Sequence, residues 1–274
     1  MSVTTQQKVE RLRALHAAPG TFVIANAWDA GSARILAGLG FPALATSSGA
    51  SAGVLGRRDG RVTRQEAMDH ARAIVAATDL PVSADLEKGF GDAPEDAAET
   101  IRQAAAVGLA GGSIEDASGD PAKPIYDRTH AVERIAAAVA AARAAPAGFV
   151  LTGRTENYLR GNPNLDDTIG RLIAFQDAGA DVLMAPGLPD LDSVRAVCSA
   201  LSKPFNFMAG IRGKSFTVAA LSEAGVKRVS LATSLYRVAM TGLVTAATEV
   251  RDHGTFGYLD ASMTAAESNA FMES

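Results

Sequence analysis

The chain is poor in several things that would mark its class. It holds a single cysteine, Cys198, one tryptophan, and only 5% aromatic residues in 274. A lone thiol excludes an intramolecular disulfide framework and a cysteine-cluster metal centre, and it suits a reducing compartment. No charge of one sign dominates: 26 Lys plus Arg stand against 30 Asp plus Glu, a net of −4, with the basic residues scattered and not gathered into a stripe. Nucleic-acid binding is therefore not expected. Long apolar runs are missing too. The N-terminal MSVTTQQKVERLRALH alternates charged and apolar residues, unlike a signal peptide or a membrane anchor. The most apolar neighbourhood, 135–151, is interrupted by Arg143, Pro146 and Gly148, short of the roughly 20 residues a spanning helix needs. No GxxxxGK[ST] loop is present, which argues against a nucleotide site. The expectation is a soluble, cytoplasmic protein without a membrane or nucleic-acid partner.

What is present is a sizeable apolar fraction, 47%, and a rhythm. Short β-prone runs at 22–26, 43–47, 82–85, 112–115, 149–153, 182–185, 205–208 and 228–231 alternate with helical segments near 29–39, 64–78, 94–107, 130–145, 165–178, 190–201, 215–223 and 234–250. Asp29, Thr63 and Asp92 stand where helix caps or early acids belong, and Gly40, Gly108, Gly179 and Gly225 fall at helix C-termini. An extra helix is expected at 4–17, and a polar tail at 254–274 carries a short helix near 264–272. Eight βα units without a linker predict a single α/β domain over 1–274, a (β/α)8 TIM-type barrel, with a doubly wound open sheet as the alternative. Pattern alone does not separate the two, since both bury parallel strands on both faces.

In a barrel, the C-terminal ends of strands build the active site. Here those ends run into Thr46-Ser47-Ser48-Gly49, Asp85-Leu86-Glu87-Lys88-Gly89-Phe90-Gly91, Glu115-Asp116 and Arg154-Thr155-Glu156-Asn157, and the seventh strand contains Asn206. Carboxylates gathered at one mouth repel one another unless a cation or shared protons compensate, and a hard, oxygen-seeking ion such as Mg2+ is the economical answer. Taken singly, Asp85 or Glu115 reads equally as a helix cap or an ion-pair partner of Arg154. Gly89 and Gly91 read as a tight turn. Gly49-Ala50-Ser51-Ala52-Gly53 fits the G-x-S-x-G hydrolase elbow, but that motif needs a helix directly after the serine, and Val54 to Gly60 read as a Gly- and Arg-rich loop. His16, His70, His130 and His253 are dispersed, with surface or helix-end roles expected, and Cys198 reads as packing within a helix.

At these residues the sequence resembles the isocitrate lyase and phosphoenolpyruvate mutase superfamily over nearly its whole length. Asp85-Leu86-Glu87-Lys88-Gly89-Phe90-Gly91 is similar to the family's D-x-D-x-G-[FY]-G; Ser47-Ser48-Gly49, Leu55-Gly56-Arg57-Arg58-Asp59, Ile114-Glu115-Asp116, Arg154-Thr155-Glu156 and Gly225 to Ser230 follow in family order. The resemblance implies a (β/α)8 barrel that binds Mg2+, or Mn2+, and a small 2-oxo or 2-hydroxy acid. It implies that Asp85 ligates the metal while Asp59, Glu87 and Glu115 hold its water shell. It also implies that Ser47, Ser48, Gly49, Asp85, Arg154 and Asn206 meet the substrate, with Arg154, Glu115 and Asp59 as the catalytic set. Such an ion with preorganised donors stabilises an enolate-like oxyanion. Three departures stand out. The lyases' K-[KR]-C-G-H loop is replaced by Ala117 to Pro124, the second family aspartate is Glu87 with Lys88 in place of the usual threonine, and the sixth strand ends in Ala185-Pro186-Gly187 where lyases carry a glutamate.

The resulting expectation is a metal-dependent carbon-carbon lyase, such as an oxaloacetate decarboxylase or a methylisocitrate lyase-like enzyme. With the loop cysteine missing, isocitrate itself is expected to be a poor substrate, and Tyr158 is one residue placed to return a proton. Mutase or hydrolase action on the P-C bond of a phosphonopyruvate-like acid is the alternative, and a non-catalytic 2-oxo acid sensor is a reading of another class. Family members usually assemble as tetramers, and Ala261, Met263, Ala265, Ala266, Ala270, Phe271 and Met272 are apolar positions in the tail that such a homo-oligomer could use.

Overall fold

The computed structural model describes residues 3–273. Strands β1 (Phe22–Asn26), β2 (Leu44–Ala45), β3 (Val82–Asp85), β4 (Gly111–Glu115), β5 (Val150–Arg154), β6 (Val182–Met184), β7 (Phe205–Met208) and β8 (Arg228–Ser230) run parallel in chain order. β8 returns to β1 through Phe22 opposite Arg228, Val23 opposite Val229 and Ile24 opposite Ser230, closing the barrel and removing the open-sheet alternative. The helices are α1 (Thr5–Ala17), α2 (Ala30–Gly38), α3 (Ser48–Val54), α4 (Arg64–Ala76), α5 (Pro94–Ala106), α6 (Arg128–Ala144), α7 (Leu165–Asp177), α8 (Leu191–Ala200), α9 (Val218–Glu223), α10 (Ser234–His253) and α11 (Ala265–Met272).

Local chemistry explains most boundaries. Thr4, Asp29, Thr63 and Thr264 each accept the N3 backbone N–H of the helix they open, and the N3 side chain answers in a capping box. Asp92 does not cap; Ala93 stands at the cap position before α5 begins at Pro94, and the Asp92 carboxylate accepts instead from Lys88 and Tyr126. Gly40, Gly108, Gly179 and Gly225 take φ of +86°, +91°, +103° and +91°, the left-handed turn that ends a helix. β2 is shorter than its apolar run suggested because Ser47 leaves the ladder to start α3.

That helix corrects the reading of 48–53. Ser51 lies inside α3 and not at its start; it is buried, and its hydroxyl is 2.8 Å from His70 Nδ1. The hydrolase elbow is thus absent for a different reason than the sequence offered. His70 is no surface residue either: Nε2 lies 2.7 Å from the Trp28 carbonyl, tying α4 to the loop after β1.

The barrel interior is layered. Val9 and Leu12 of α1 plug its lower end against Ile24, Ala43, Val150 and Val182. Above them the layer is small and polar: Ala45, Ser83, Ser113, Asn206 and Arg228 line an axial cavity that rises to Asp85 and Arg154. The outer core is mainly aliphatic, with Ala-rich α5 and α6 packed closely. Among the described residues no helix is long and apolar enough to cross a membrane. The tail helix α11 folds back on its own barrel, with Phe271 against Gly38 and Arg34 donating to the Met272 carbonyl at 2.6 Å. Phe271 therefore packs within the chain, while Met272 is held by its backbone carbonyl and keeps its side chain exposed. Neither α10 nor α11 has a fully buried residue among those described.

Candidate active site

At the C-terminal mouth the strand ends bring together Ser48, Asp59, Glu87, Lys88, Glu115, Arg154 and Arg160 around an open cavity of about 450 Å3. Arg154, the last residue of β5, is its electrostatic centre. Nε donates to Glu156 Oε1 at 2.7 Å and lies 3.4 Å from Glu115 Oε2, while Nη1 lies 3.6 Å from Asp85 Oδ1. Burial works against the guanidinium charge, but Glu115, Glu156 and Asp85 outweigh it and hold its pKa above the ordinary value.

The acids are fixed by backbone. Asp85 ends β3; its Oδ2 accepts the Ser48 N–H at 3.2 Å and its Oδ1 the Glu87 N–H at 3.3 Å, so the carboxylate bridges the start of α3 and its own loop. Glu87 adopts φ +50°, a strained conformation for a residue with a side chain. Gly89 follows with φ +87°, where a Cβ would come 3.0 Å from the Ala97 Cα, so the turn needs glycine and serves packing rather than phosphate. Burial, then the charges of Asp85 and Asp59, raise the Glu87 carboxyl to about 7. Glu115 is also pushed well up, by burial first and then by Glu156 and Asp85 against the opposing pull of Arg154.

These shifts describe a site with more negative charge than its arginines neutralise, which is the donor set a hard cation prefers. Among the described residues, no three acidic or imidazole side chains converge tightly enough to chelate one ion alone. The fit is therefore to an ion such as Mg2+ that takes few protein oxygens and keeps water or substrate in its other positions.

The remaining sequence candidates fall into place unequally. Ser47 starts α3 and its hydroxyl lies 2.9 Å from Thr233 Oγ1. Gly49 packs where a Cβ would be 3.3 Å from Asp59 Oδ2, which brings the exposed Asp59 loop over the first turn of α3. Asn206 sits lower, in the axial cavity, with both ends of its amide engaged: Nδ2 donates to Ser230 Oγ at 3.0 Å and Oδ1 accepts from Arg228 at 2.7 Å. Tyr158 packs beside Gly187 after β6 and does not line the mouth. Cys198 lies in α8 against Gly225, and burial pushes its thiol up to about 12.

Three residues had been given no role from the sequence. Arg160 reaches back from the 3-10 turn after β5 to within 3.7 Å of Glu115 and 3.3 Å of Glu156, whose buried Oε2 has no hydrogen bond. Its position four residues beyond Glu156 is the signal that was available. Arg134, buried in α6 over the Tyr126 ring, donates to the carbonyls of Lys88, Asp92 and Ala93 and so clamps the loop that carries Glu87. Arg228 lies buried in the axial cavity.

Comparison with known proteins agrees with the fold. The family described as phosphoenolpyruvate phosphomutase matches residues 12–251. A Corynebacterium glutamicum protein named Probable 2-methylisocitrate lyase 1 is 31% identical over 270 residues, covering 94% of this chain and 87% of that one. A candidate lyase/mutase of Burkholderia cenocepacia J2315 superposes with a TM-score of 0.96 at 51% identity over 98% of both chains. Oxaloacetate acetylhydrolase in complex with the product oxalate superposes at 0.88, with 26% identity over 97% of this chain and 94% of the other.

Proposed function

Because the chain belongs to the phosphoenolpyruvate phosphomutase family, we propose that it is a divalent-cation-dependent lyase that breaks or makes a carbon-carbon bond next to the carbonyl of a small 2-oxo or 2-hydroxy acid. The observation that carries this reading is the single guanidinium of Arg154 held by Asp85, Glu115 and Glu156 beside the neutral-leaning Glu87. Two relatives bear names that concern small carboxylic acids, methylisocitrate and oxaloacetate.

A cation bound at Asp85 supplies Lewis acidity toward the substrate's 2-oxo oxygen. Arg154, locked by its carboxylates, donates its remaining N–H groups to the substrate carboxylate and to the oxyanion that develops as the bond breaks. Ser48, whose N–H is held by Asp85 Oδ2, lines the same mouth. Asp59, Glu87 and Glu115 would be the acceptors for water bound with such an ion. P-C chemistry through a covalent phosphoryl enzyme is less well served. In the loop after β4, the Ser118 hydroxyl donates to the Lys123 carbonyl and accepts from the Asp120 N–H, and Tyr126 donates to Asp92. The enzyme is further proposed to be cytoplasmic and a homo-oligomer, of tetrameric order, built on α10.

The test is a panel of oxaloacetate, methylisocitrate, isocitrate and phosphonopyruvate with Mg2+ or Mn2+, read as relative kcat/KM. We expect oxaloacetate or a methylisocitrate-like acid to lead, isocitrate to be slow, EDTA to abolish turnover, and folded Asp85→Ala to resist rescue by added metal. Full activity of the metal-free enzyme overturns the metal role; phosphonopyruvate as the leading substrate overturns the C-C assignment. Metal-dependent binding without turnover of any acid would make the protein a sensor.

A further inference from the structure

Arg228 projects from β8 into the barrel and meets β5 at Thr152, two residues below Arg154. Its Nε donates to Asn206 Oδ1 at 2.7 Å, its Nη2 to Thr152 Oγ1 at 3.0 Å, and its Nη1 lies 3.4 Å from His16 Nε2. All three partners are neutral. His16 Nδ1 bonds the Leu12 carbonyl at 2.8 Å, so Nε2 is the lone-pair nitrogen and serves as an acceptor. No acid of the described residues pairs with Arg228, although it is only 4% exposed. A guanidinium carries five N–H groups, and three are accounted for. A buried cation without an anion is among the costlier arrangements in a protein interior.

The space beside it is built of donors. Ser83 and Ser113, 6% and 9% exposed, line the same axial cavity, and their hydroxyls bond no protein group. Asp85 stands at the upper end of that cavity, where it is paired with Arg154, so its charge is spent there and not on Arg228. The cavity measures about 50 Å3, room for a few waters or one small anion, and a single arginine balances a monovalent ion but not a dianion. Water alone fills the volume and leaves the charge.

We propose that the axial cavity is a buried anion site that holds one chloride-sized monovalent ion between the Arg228 guanidinium and the hydroxyls of Ser83 and Ser113. The ion completes the charge balance of the barrel interior beneath the reaction mouth, and it is distinct from any carboxylate that Arg154 receives.

The experiment is thermal unfolding of the whole protein in a chloride series balanced with gluconate at constant ionic strength, repeated with bromide and with sulfate. Chloride and bromide should raise Tm saturably, by roughly 3–8 °C at 10- to 100-fold excess over Kd, and sulfate should not. Crystals grown in bromide should show an anomalous peak in contact with Arg228. The saturable rise should vanish in Arg228→Met and in Ser113→Val, which fills the cavity while keeping the arginine, so the test survives if either variant fails to fold. A chloride-independent Tm overturns the proposal. A bromide peak without a chloride-dependent Tm marks an adventitious ion only, and chloride that competes with substrate equally in wild type and Arg228→Met moves the anion to the mouth.

Discussion

The residues that carry the proposed chemistry were legible because they sit at strand ends, where a (β/α)8 fold puts its reactive groups. Asp85, Glu115 and Arg154 needed only the strand boundaries to be found. Arg228 and His16 were not legible, since their contact joins α1 to β8 across the closing seam of the barrel, 212 positions apart. That contact has a measurable consequence. Burial, then the charge of Arg228, depress His16 to about 3. The folded state refuses a proton that the unfolded chain takes up below about 6.5, so this contribution is fully present above that pH and is lost as pH falls toward 3. Between pH 7 and 5 the loss is about 1–2 kcal/mol. Glu87, raised to about 7, works in the opposite direction, favouring the folded state at low pH and losing that contribution as pH rises through its folded value. Urea unfolding of wild type and His16→Gln cancels the Glu87 slope in the difference. The wild type should lose that 1–2 kcal/mol more than the variant on acidification; parallel curves would show that His16 does not stay neutral in the fold.

At the scale of elements, periodicity found every strand and nearly every barrel helix, and failed at α3. Seven residues rich in Gly and Ser have little helix propensity of their own, and α3 is held by its surroundings: Ser51 bonds His70, and Gly53 leaves room for Tyr236. The loop after β4 was recognised as a departure from the lyases, but its anchoring was not. Lys88 Nζ donates to the Ser118 carbonyl at 2.6 Å and to Asp92, which Tyr126 also reaches, so the two loops flanking the mouth are tied through one ammonium. Lys88, noted in the sequence only as a replacement for threonine, is thus a positioning residue. Its hydrogen bonds are charge-assisted, and losing them costs the closed arrangement on the order of 1–1.5 kcal/mol. Lys88→Met should therefore raise KM by about 5- to 10-fold with a smaller change in kcat, and should speed proteolytic cleavage within residues 117–126 of the folded enzyme. An unchanged KM with unchanged cleavage would show that the loops hold without this tie.

At the scale of the whole molecule, the barrel was readable from eight repeated βα units, but closure was not, because a parallel strand buried on both faces looks alike in an open and a closed sheet. For assembly, the exposed apolar side chains of α10 are a second candidate surface beside the tail. The tail helix α11 packs Phe271 on its own α2, whereas α10 holds Leu235 and Tyr236 against the barrel and exposes Val238, Leu243 and Val244 at 69%, 61% and 63%. Twenty residues of helix after the last strand, capped by a left-handed Gly254 and apolar on the outside, form a surface that a monomer gains nothing by presenting. Covering those side chains with a second copy stabilises by about 1.5–3 kcal/mol for each one fully buried. Replacing Leu243 and Val244 together by glutamate removes that gain and adds the desolvation cost of two charges, so dissociation should strengthen by at least about 100-fold. Light scattering at micromolar protein should give a multimer for the intact chain and a smaller species for the Leu243→Glu, Val244→Glu variant, with the barrel's circular dichroism unchanged. Truncation after Tyr258, which removes α11 but leaves α10 whole, should keep the multimer while lowering Tm through loss of the Phe271 contact. A monomeric intact protein would sink the α10 assembly, and a multimer lost only on truncation would return the interface to the tail.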